Sequence, residues 1–379
     1  MRRLPVDALH PGMKVGHTIF SSEGVVLVKA GWPLSNKIIN RLRFLGIPSV
    51  YIDDGFIDDI EILDVIKDST RADAVNRVRN IFRETNVGEK GLRLNVVFNE
   101  QKVVETVERL LEDLLLRKDV IVSLADIRSF DDYTYAHSVN VSILALMTGR
   151  AMKLSQKALL QLGVGAILHD LGKVMIPMHI LNKPDQLTKE EFQVIKRHPK
   201  DGYNIVRAKD RVSKLTASVI YEHHERHNGS GYPRMLKDSE IHIYGQIVGL
   251  ADVYDALTAD RIYRKAYQPH QVYEMLAGAG GSQFNYEVIK VFLENIAIYP
   301  LGTYVELSTG QIGVVVGFTK GLTHRPTVRI FLEEKDAIVP KLYEVDLSTE
   351  LYIVINRVLS HVDIENLKSK VKEAKIQPS

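Results

Sequence analysis

In five segments between residues 137 and 255, apolar residues recur at helical spacing, and histidine or aspartate occupies a neighbouring position on the same face. His137 begins a stripe that Val141 and Leu144 continue, and His198 follows Val194 at a spacing of four residues. This spacing puts the polar side chain on the buried face of a helix. The same pattern leads to His223, His224 and Asp252, and the run LLQLGVGAILHD ends in His169 and Asp170.

Buried imidazoles and carboxylates need a partner, because an unpaired polar group on an apolar face costs roughly 1–3 kcal/mol or more. One such position is usually a hydrogen-bonded core histidine. Five segments with the same substitution favour convergence on a cation. The chain has no cysteine, so its metal ligands are limited to histidine, aspartate and glutamate. This donor set suits iron, manganese, zinc or nickel.

The adjacent pair His223 and His224 indicates more than one ion. Neighbouring residues of a helix project about 100° apart, so we expect these two side chains to bind different ions. A carboxylate such as Asp170 would lie between the ions. Two such metals would hold a bridging hydroxide and clamp a phosphate during in-line attack. The pattern therefore favours phosphoester hydrolysis over a redox or a purely structural role.

Changes in periodicity divide the chain into four regions. We expect a small β-rich module in residues 1–60, a helical linker in 61–122, a helical domain in 123–299 and a β-rich module with a charged tail in 300–379. The predicted fold is mainly α, with an all-helical bundle flanked by the two β-rich modules. Trp32, the only tryptophan, is expected to pack inside the N-terminal module.

Charge and hydropathy exclude several partners. The net charge of +2 implies no broad attraction to a nucleic-acid polymer. No window approaches the run of about 18 apolar residues that a membrane-spanning helix needs. The start, MRRLPVDALHPG, has no apolar segment typical of a secretion signal. We therefore predict a cytoplasmic protein without a transmembrane segment.

The ordered motifs resemble those of the HD-GYP family, a branch of the HD-domain metal phosphohydrolases associated with hydrolysis of cyclic di-GMP. They are His137, HDLGK with His169 and Asp170, KRHP with His198, HHE with His223 and His224, Gly231-Tyr232-Pro233, and Asp252 in ADVYDALTADRIYRKA. The resemblance covers roughly residues 120–300. It implies an all-helical catalytic domain with a buried cluster of iron or, in some members, manganese.

The resemblance also implies roles for individual residues. The implied metal ligands are His137, His169, Asp170, His198, His223, His224 and Asp252. Asp170 would bridge the metals, and Lys173 would contact the scissile phosphate and polarise the bridging hydroxide. The implied substrate-binding residues are Lys173, Gly231, Tyr232, Arg261 and Arg264. The two arginines are three residues apart, which suits a phosphate clamp on one helix face.

One departure from the family pattern bears on the number of metals. Family members with three metals carry glutamate four residues before the first histidine, where this chain has Tyr133. Asp132 is one position away and would point about 100° off on a helix. We therefore predict two metals. Asp255 is expected to orient a ligand or Arg261, and three histidines are expected outside the site, namely His179, His227 and His242.

The sequence thus predicts a phosphodiesterase that uses two divalent transition-metal ions, iron or alternatively manganese, to convert cyclic di-GMP to 5′-pGpG, with GMP as a second candidate product. One alternative is a hydrolase of another cyclic dinucleotide or nucleotide phosphoester. The other is a non-catalytic receptor for cyclic di-GMP. The flanking modules are compatible with ligand sensing, with homodimer formation or with packing against the helical domain, and the sequence leaves these three open.

Overall fold

The computed structural model describes most of the chain. The described residues are 2–20, 26–45, 47, 49–53, 65–85, 99–116, 133–183, 185–207, 212–259, 266–319, 321–333, 338–360 and 362–367.

The N-terminal module is built from short strands and one helix. Its elements are β1 (Arg2–Pro5), β2 (Lys14–Val15), β3 (Ile19–Phe20), β4 (Val26–Val28), α1 (Asn36–Phe44) and β5 (Ser49–Asp53). The strands form an antiparallel sheet of order β1-β5-β2 and a separate β3-β4 pair. Ser35 caps α1, since its hydroxyl accepts a hydrogen bond from the Ile38 amide at 3.3 Å. The prediction for Trp32 is wrong, because its side chain is 60% exposed.

The central region is helical, as its 3.6-residue periodicity predicts. Its helices are α2 (Asp68–Glu84), α3 (Glu100–Leu116), α4 (Tyr133–Ala151), α5 (Gln156–Leu168), α6 (Met178–Leu181), α7 (Lys189–Ile195), α8 (His198–Arg207), α9 (Lys214–Glu222), α10 (Ile243–Thr258), α11 (Pro269–Gly278) and α12 (Tyr286–Glu294). A short 3-10 helix, Leu171–Met175, follows α5. One apolar core joins α2 and α3 to the helices that follow them.

Two glycines let α5 pack closely against its neighbours. A Cβ atom on Gly163 would lie 2.5 Å from Val107 Cγ1, and one on Gly165 would lie 2.8 Å from Val219 Cβ. Both distances are too short for a real contact, so only glycine allows this approach. The close packing brings the end of α5, with His169 and Asp170, next to α9.

One stretch of the described chain, Gln156–Met175, has the length and composition of a membrane span, with a mean hydropathy of 1.2. Of this stretch, 67% is buried inside the fold. A core helix of a globular domain meets the same criterion, and this one carries His169 and Asp170 within the helical core. The sequence prediction that no window approaches such a composition was therefore too strict.

The C-terminal module is an antiparallel sheet. Its strands are β6 (Tyr304–Leu307), β7 (Ile312–Gly317), β8 (Thr327–Leu332), β9 (Ile338–Asp346) and β10 (Ile355–Val358), in the order β10-β6-β7-β8-β9. The predicted hairpin at STGQ is confirmed, because Leu307 donates its amide hydrogen to the Gln311 carbonyl at 2.8 Å. Gly310 in this turn has φ +79°, a conformation that favours glycine. The mainly helical fold with flanking β-rich modules is thus confirmed.

Candidate metal centre

The ends and inner faces of five helices meet at one buried point of the helical region. His137 lies on α4, His169 and Asp170 follow α5, and His198 begins α8. The remaining predicted ligands are His223 and His224 at the end of α9 and Asp252 on α10. Tertiary packing therefore brings together all seven residues that the resemblance implies, across more than a hundred positions of sequence.

Six of the seven side chains form two groups with the spacing of metal ligands. One ligand atom from each of His137, His169 and Asp170 lies within 4.8 Å of the others. The second group contains His198, His223 and His224 at the same spacing. Each group by itself offers three donors, which is enough to hold one ion with positions left open.

Asp170 joins the two groups through its two carboxylate oxygens. Oδ1 lies 3.3 Å from His198 Nε2 in the second group. Oδ2 lies 3.4 Å from His169 Nε2 and 4.0 Å from His137 Nε2 in the first. A carboxylate with one oxygen toward each group has the geometry of a bridging ligand.

Asp252 makes a second link between the groups. Its Oδ1 lies 3.1 Å from His137 Nε2, and its Oδ2 lies 3.8 Å from His224 Nδ1. The two groups therefore share carboxylates on both sides, with Asp170 contributed by the end of α5 and Asp252 by α10.

Hydrogen bonds to backbone carbonyls set the tautomer of three imidazoles. The Nδ1 atoms lie 2.7 to 2.8 Å from the carbonyl oxygen three residues earlier, in the pairs His169 with Ala166, His198 with Ile195, and His223 with Ile220. A carbonyl oxygen only accepts, so each Nδ1 carries the hydrogen. In the neutral ring Nε2 then presents its lone pair to the centre of the site.

A carboxylate performs the same task for His137. Its Nδ1 donates to Asp255 Oδ2 at 2.6 Å, and Asn140 Nδ2 donates to Asp255 Oδ1 at 3.2 Å. This is the carboxylate–histidine arrangement found behind metal ligands, and it raises the basicity of the outer nitrogen. Asp255 thus has the orienting position that the sequence predicted for it.

The donor set fits a metal cation on two further observations. His198 Nε2 and His223 Nε2 lie 3.2 Å apart, although the Nδ1 bonds leave a lone pair on each in the neutral state. His169 Nε2 is buried and has no hydrogen-bond partner among the residues that the structure describes. Cations at the two ligand groups would satisfy all three lone pairs, which a purely structural histidine network does not.

The protonation states also fit. Burial lowers the pKa of His198 to about 4 and lowers the pKa of His223 and of His224 well below the ordinary value. Burial raises the pKa of Asp170, but the positive charge of Lys173 overrides it and holds that pKa well below its usual range. The second group therefore holds neutral imidazoles beside the ionised Asp170, the states that metal ligands require.

His137 and Asp252 form a buried ion pair, in which the proton lies on His137. Burial alone lowers the pKa of His137, but its hydrogen bonds to Asp252 and Asp255 raise that pKa to about 10. Burial raises the pKa of Asp252, yet the hydrogen bond from His137 holds it well below the ordinary value. Metal binding at this pair would release the proton on Nε2.

The prediction that His223 and His224 bind different ions is wrong as the side chains are arranged. Both belong to the same group, and their ring centroids lie 4.1 Å apart with 43° between the ring planes. The helix α9 ends at Glu222, so His223 is its C-cap and His224 lies beyond it. The angle of about 100° between neighbours applies only inside a continuing helix.

Tyr232 covers the second group. Its ring stacks on His224 with centroids 4.7 Å apart and 28° between the planes, and its amide donates to the His224 carbonyl at 3.2 Å. Burial, together with the nearby Asp252 and Asp170 carboxylates, raises the pKa of the Tyr232 hydroxyl. The phenol is therefore a neutral donor at the edge of the centre.

Gly231 is required for packing. A Cβ atom at this position would lie 2.4 Å from both Arg226 N and Glu225 Cα and 2.5 Å from the His224 carbonyl oxygen. Only glycine lets the loop approach its own preceding turn so closely. The described contacts of Gly231 are thus with the protein backbone, and its role in substrate binding stays a prediction.

Two buried glutamates that the sequence analysis missed hold this loop. Glu225 accepts hydrogen bonds from the Arg234 amide at 2.7 Å and from the Leu236 amide at 3.0 Å. Glu222 accepts from Arg234 Nη2 at 2.5 Å and from the His242 amide at 2.8 Å. Glu222 lies three residues after the buried Val219, so the stripe that indicated the histidines could also have indicated it.

Lys173 contacts the proposed bridge directly. It lies in the 3-10 helix after α5, and its Nζ donates to Asp170 Oδ2 at 2.5 Å. Among the other predicted contacts, Arg261 and Arg264 lie outside the described residues, as do Asp132 and the side chain of Tyr133.

The three histidines expected to have no share in the centre lie apart from both groups. The amide of Tyr244 donates to His242 Nδ1 at 3.2 Å, so His242 caps α10. His227 Nε2 lies 3.6 Å from Asp238 Oδ1 in the loop. His179 is exposed on α6.

Comparison with known protein families identifies two regions of the chain. Residues 109–288 match the family model of the HD domain. Residues 304–367 match a KOW domain associated with the HD domain. The HD match begins within α3 and ends within α12, and it contains both groups of candidate ligands.

Several curated proteins are similar in sequence. A cyclic di-GMP phosphodiesterase of Pseudomonas aeruginosa is 31% identical over 270 residues, which are 71% of this chain and 63% of the relative. A cyclic di-GMP phosphodiesterase of Thermotoga maritima is 33% identical over 221 residues, 58% of this chain and 59% of the relative. A 3′3′-cGAMP-specific phosphodiesterase of Vibrio cholerae is 32% identical over 180 residues, 47% of this chain and 34% of the relative. The chain thus spans about three fifths of the length of the first two relatives.

Proposed function

We propose that the chain is a member of the HD-GYP family of HD-domain metal phosphohydrolases and that it hydrolyses cyclic di-GMP to 5′-pGpG. The observation that carries the proposal is the pair of three-residue ligand groups joined by the two oxygens of Asp170. Two linked cation sites suit the in-line displacement of a phosphodiester. The relatives named as cyclic di-GMP phosphodiesterases support the choice of substrate.

We propose that two divalent ions, iron or alternatively manganese, bind at the centre. The residues that would hold them are His137, His169, Asp170, His198, His223, His224 and Asp252. When bound, such ions supply Lewis-acid activation of water and of the phosphoryl oxygens. The number two rests on Tyr133, since a phenol is a poor substitute for the glutamate of three-metal members.

The side chains around the centre have separate tasks in this proposal. Asp170, ionised and hydrogen-bonded to Lys173, holds the two groups at a constant separation. The Lys173 ammonium, anchored on that carboxylate, is positioned to contact the scissile phosphate and to stabilise its developing negative charge. Burial of the site excludes bulk water and strengthens this electrostatic effect.

Substrate contacts would come from the rim. Tyr232 presents a neutral hydroxyl beside the centre and is proposed as a hydrogen-bond donor to the nucleotide. Arg261 and Arg264 are proposed as phosphate or guanine contacts on the basis of the family motif. Gly231 would contribute through the backbone position that it gives to Tyr232.

A second candidate substrate is another cyclic dinucleotide. The 3′3′-cGAMP-specific relative matches this chain at 32% identity, in the same range as the cyclic di-GMP enzymes. The two substrates differ in one base, so the phosphate chemistry at the centre serves both. The choice between them depends on base contacts at the rim.

The test is a substrate panel with protein purified without oxygen, combined with metal analysis. We expect cyclic di-GMP to give 5′-pGpG, followed by GMP on longer incubation, and two metals per chain. Turnover of 3′3′-cGAMP without turnover of cyclic di-GMP would overturn the substrate assignment. Binding of cyclic di-GMP by metal-loaded protein without a linear product would indicate a receptor. Three metals per chain would contradict the inference from Tyr133.

The cytoplasmic location and a homodimer stay predictions. Cell fractionation tests the location. Light scattering on the purified chain tests the oligomeric state, and a truncation that ends before β6 tests whether the C-terminal module contributes to it.

A further inference from the structure

Lys196 lies at the rim of the candidate centre, between two aromatic rings. It is the C-cap of α7, and its amide donates to the Phe192 carbonyl at 2.9 Å. Its Nζ lies 5.0 Å from the centroid of the Phe192 ring and 5.1 Å from that of Tyr232. Both distances are within the range of cation–π attraction.

This lysine is tied to the centre through two routes. Through space, the Tyr232 ring that faces its ammonium also stacks on His224, a member of the second ligand group. Along the chain, Lys196 precedes the ligand His198 by two residues. The ammonium therefore has a defined position relative to the metal centre.

No carboxylate neutralises the charge of Lys196 among the described residues, in contrast to Lys173 and Arg234. Lys173 is bound to Asp170, and Arg234 is bound to Glu222. Arg226 donates to the backbone carbonyls of His223 and Glu225. In the part of the chain that the structure describes, Lys196 makes no ion pair with a carboxylate.

A cyclic dinucleotide needs a second positive subsite. It carries two phosphodiester groups on opposite sides of its ring, each with one negative charge. The metal centre and Lys173 serve the group that is cleaved. The other phosphodiester would lie outside the ligand groups, and an unpaired ammonium there would neutralise its charge.

We propose that Lys196 forms a second phosphate subsite that binds the non-scissile phosphodiester of the cyclic dinucleotide. This inference rests on the proposed function. The two aromatic rings hold the ammonium before substrate arrives, so less side-chain entropy is lost on binding. The three N–H groups of the ammonium remain able to donate charge-assisted hydrogen bonds to phosphate oxygens.

The experiment compares four forms of the metal-loaded, full-length chain. Lys196→Met keeps an unbranched side chain, one atom shorter, and removes its charge. Lys196→Arg keeps the charge. Lys200→Met removes an exposed lysine from the first turn of α8 and is the matched control. Each form is assayed on cyclic di-GMP and on bis(p-nitrophenyl) phosphate, which has a single phosphodiester.

For Lys196→Met we expect KM for cyclic di-GMP to rise about 10- to 100-fold, the usual effect of losing a charged hydrogen bond, with kcat near that of the parent. The KM for bis(p-nitrophenyl) phosphate should change far less, because it has no second phosphodiester. Lys196→Arg should recover most of the affinity, and Lys200→Met should match the parent. Added salt should raise KM of the parent more steeply than KM of Lys196→Met.

Three outcomes would overturn the subsite. One is an unchanged KM for cyclic di-GMP in Lys196→Met. Another is an equal rise in KM for both substrates, and the third is a fall in the metal content of Lys196→Met. Either of these last two results would place the effect at the metal centre. If the parent hydrolyses only bis(p-nitrophenyl) phosphate, the proposed function fails. Equilibrium binding of cyclic di-GMP then decides whether Lys196 forms a phosphate subsite. Weaker binding by Lys196→Met supports the subsite, and equal or absent binding by both forms refutes it.

Discussion

The candidate site has a floor, formed by the candidate metal ligands, and a rim, formed by the loop that carries Tyr232. Different kinds of hydrogen bond hold the two in place. On the floor, the Nδ1 atoms of His169, His198 and His223 donate hydrogen bonds to the carbonyl three residues earlier. Each ring is therefore oriented by its own segment of the chain. On the rim, the loop that carries Tyr232 is held by the carboxylates of Glu222 and Glu225, which accept hydrogen bonds from residues 9 to 20 positions away.

This difference indicates which part tolerates change. The floor rings are oriented by the backbone that carries them, and helix packing fixes their relative positions. The rim depends on two buried side chains, so one substitution can displace the loop without altering the ligand groups. Metal binding and substrate affinity should therefore respond to different substitutions.

The largest effect is expected at the carboxylate that joins the two ligand groups. Asp170→Asn keeps the shape of the side chain but removes the charge that both groups and Lys173 share. We expect kcat to fall by roughly 10³-fold or more, as when a main electrostatic stabiliser is lost, together with a loss of bound metal. Steady-state kinetics and metal analysis check this, with the exposed Asp185→Asn as the control. A variant with full metal content and full activity would contradict a bridging role.

A smaller effect is expected behind the floor. Asp255→Asn leaves an oxygen that can accept from His137 Nδ1 but removes the charge that orients and polarises the ring. We expect metal affinity to fall by about 10- to 100-fold, while KM measured with saturating metal changes little. Titration in metal buffers measures the affinity. Equal affinities for the variant and the parent would show that Asp255 has only a packing role.

A substitution at the rim should affect substrate binding rather than metal binding. Glu225→Gln replaces a carboxylate that accepts two backbone amides, so we expect a loss of about 1–3 kcal/mol of unfolding free energy. KM for the dinucleotide should rise because Tyr232 is displaced, whereas metal affinity should be unchanged. Urea unfolding and kinetics test this. The control is Glu240→Gln, an exposed acid of the same loop, expected within about 0.5 kcal/mol of the parent. Loss of metal from Glu225→Gln would remove the distinction between floor and rim.

The smallest effect is a pH dependence of the metal-free protein. Burial lowers the pKa of His198, His223 and His224 in the folded state, so the unfolded chain binds more protons below pH 6.5. Their contribution to stability is present above pH 6.5 and is lost as the pH falls towards about 4. The raised pKa of His137, to about 10, stabilises the fold fully below pH 6.5 and so adds no slope in this window.

Unfolding of the chelator-treated protein across this pH window measures that slope. His198→Gln should flatten it, and the exposed His179→Gln should not. If the free energy of unfolding instead increases as the pH falls from 6.5 towards about 4, these imidazoles are not held neutral in the folded state. With saturating metal, the free energy of unfolding should fall more steeply as the pH is lowered, because protons and metal compete for the same nitrogens.

Much of the fold and of the centre could be predicted because the signals are local and repeated. The helical stripes that contain His137 and Asp252 placed both side chains on a buried face, and burial confirms this. His198 is buried as well, but it begins α8 whereas Val194 lies in α7, so the predicted single stripe is wrong there. The turn at STGQ was visible from its residues alone. The prediction for Trp32 was wrong, since residue type alone does not decide whether a side chain in a connection between strand and helix is buried.

The grouping of the ligands could not be predicted in the same way. The angle between His223 and His224 depends on where α9 ends, and neither glycine nor proline marks that point at Glu222 in the sequence. Glu222 and Glu225 resembled ordinary polar residues at a helix end. Their partners lie across a loop whose course only the packed structure defines.

The sequence by itself determined the chemical type of the candidate ligands and placed several of them on buried helix faces, because helical periodicity and the absence of cysteine are properties of the chain alone. Tertiary structure alone decided which nitrogen faces which oxygen. Long-range packing sets the 3.3 Å approach of Asp170 to His198 and the position of Lys196 between Phe192 and Tyr232. Such contacts depend on distances of a few ångströms between segments whose separation along the chain carries no such information.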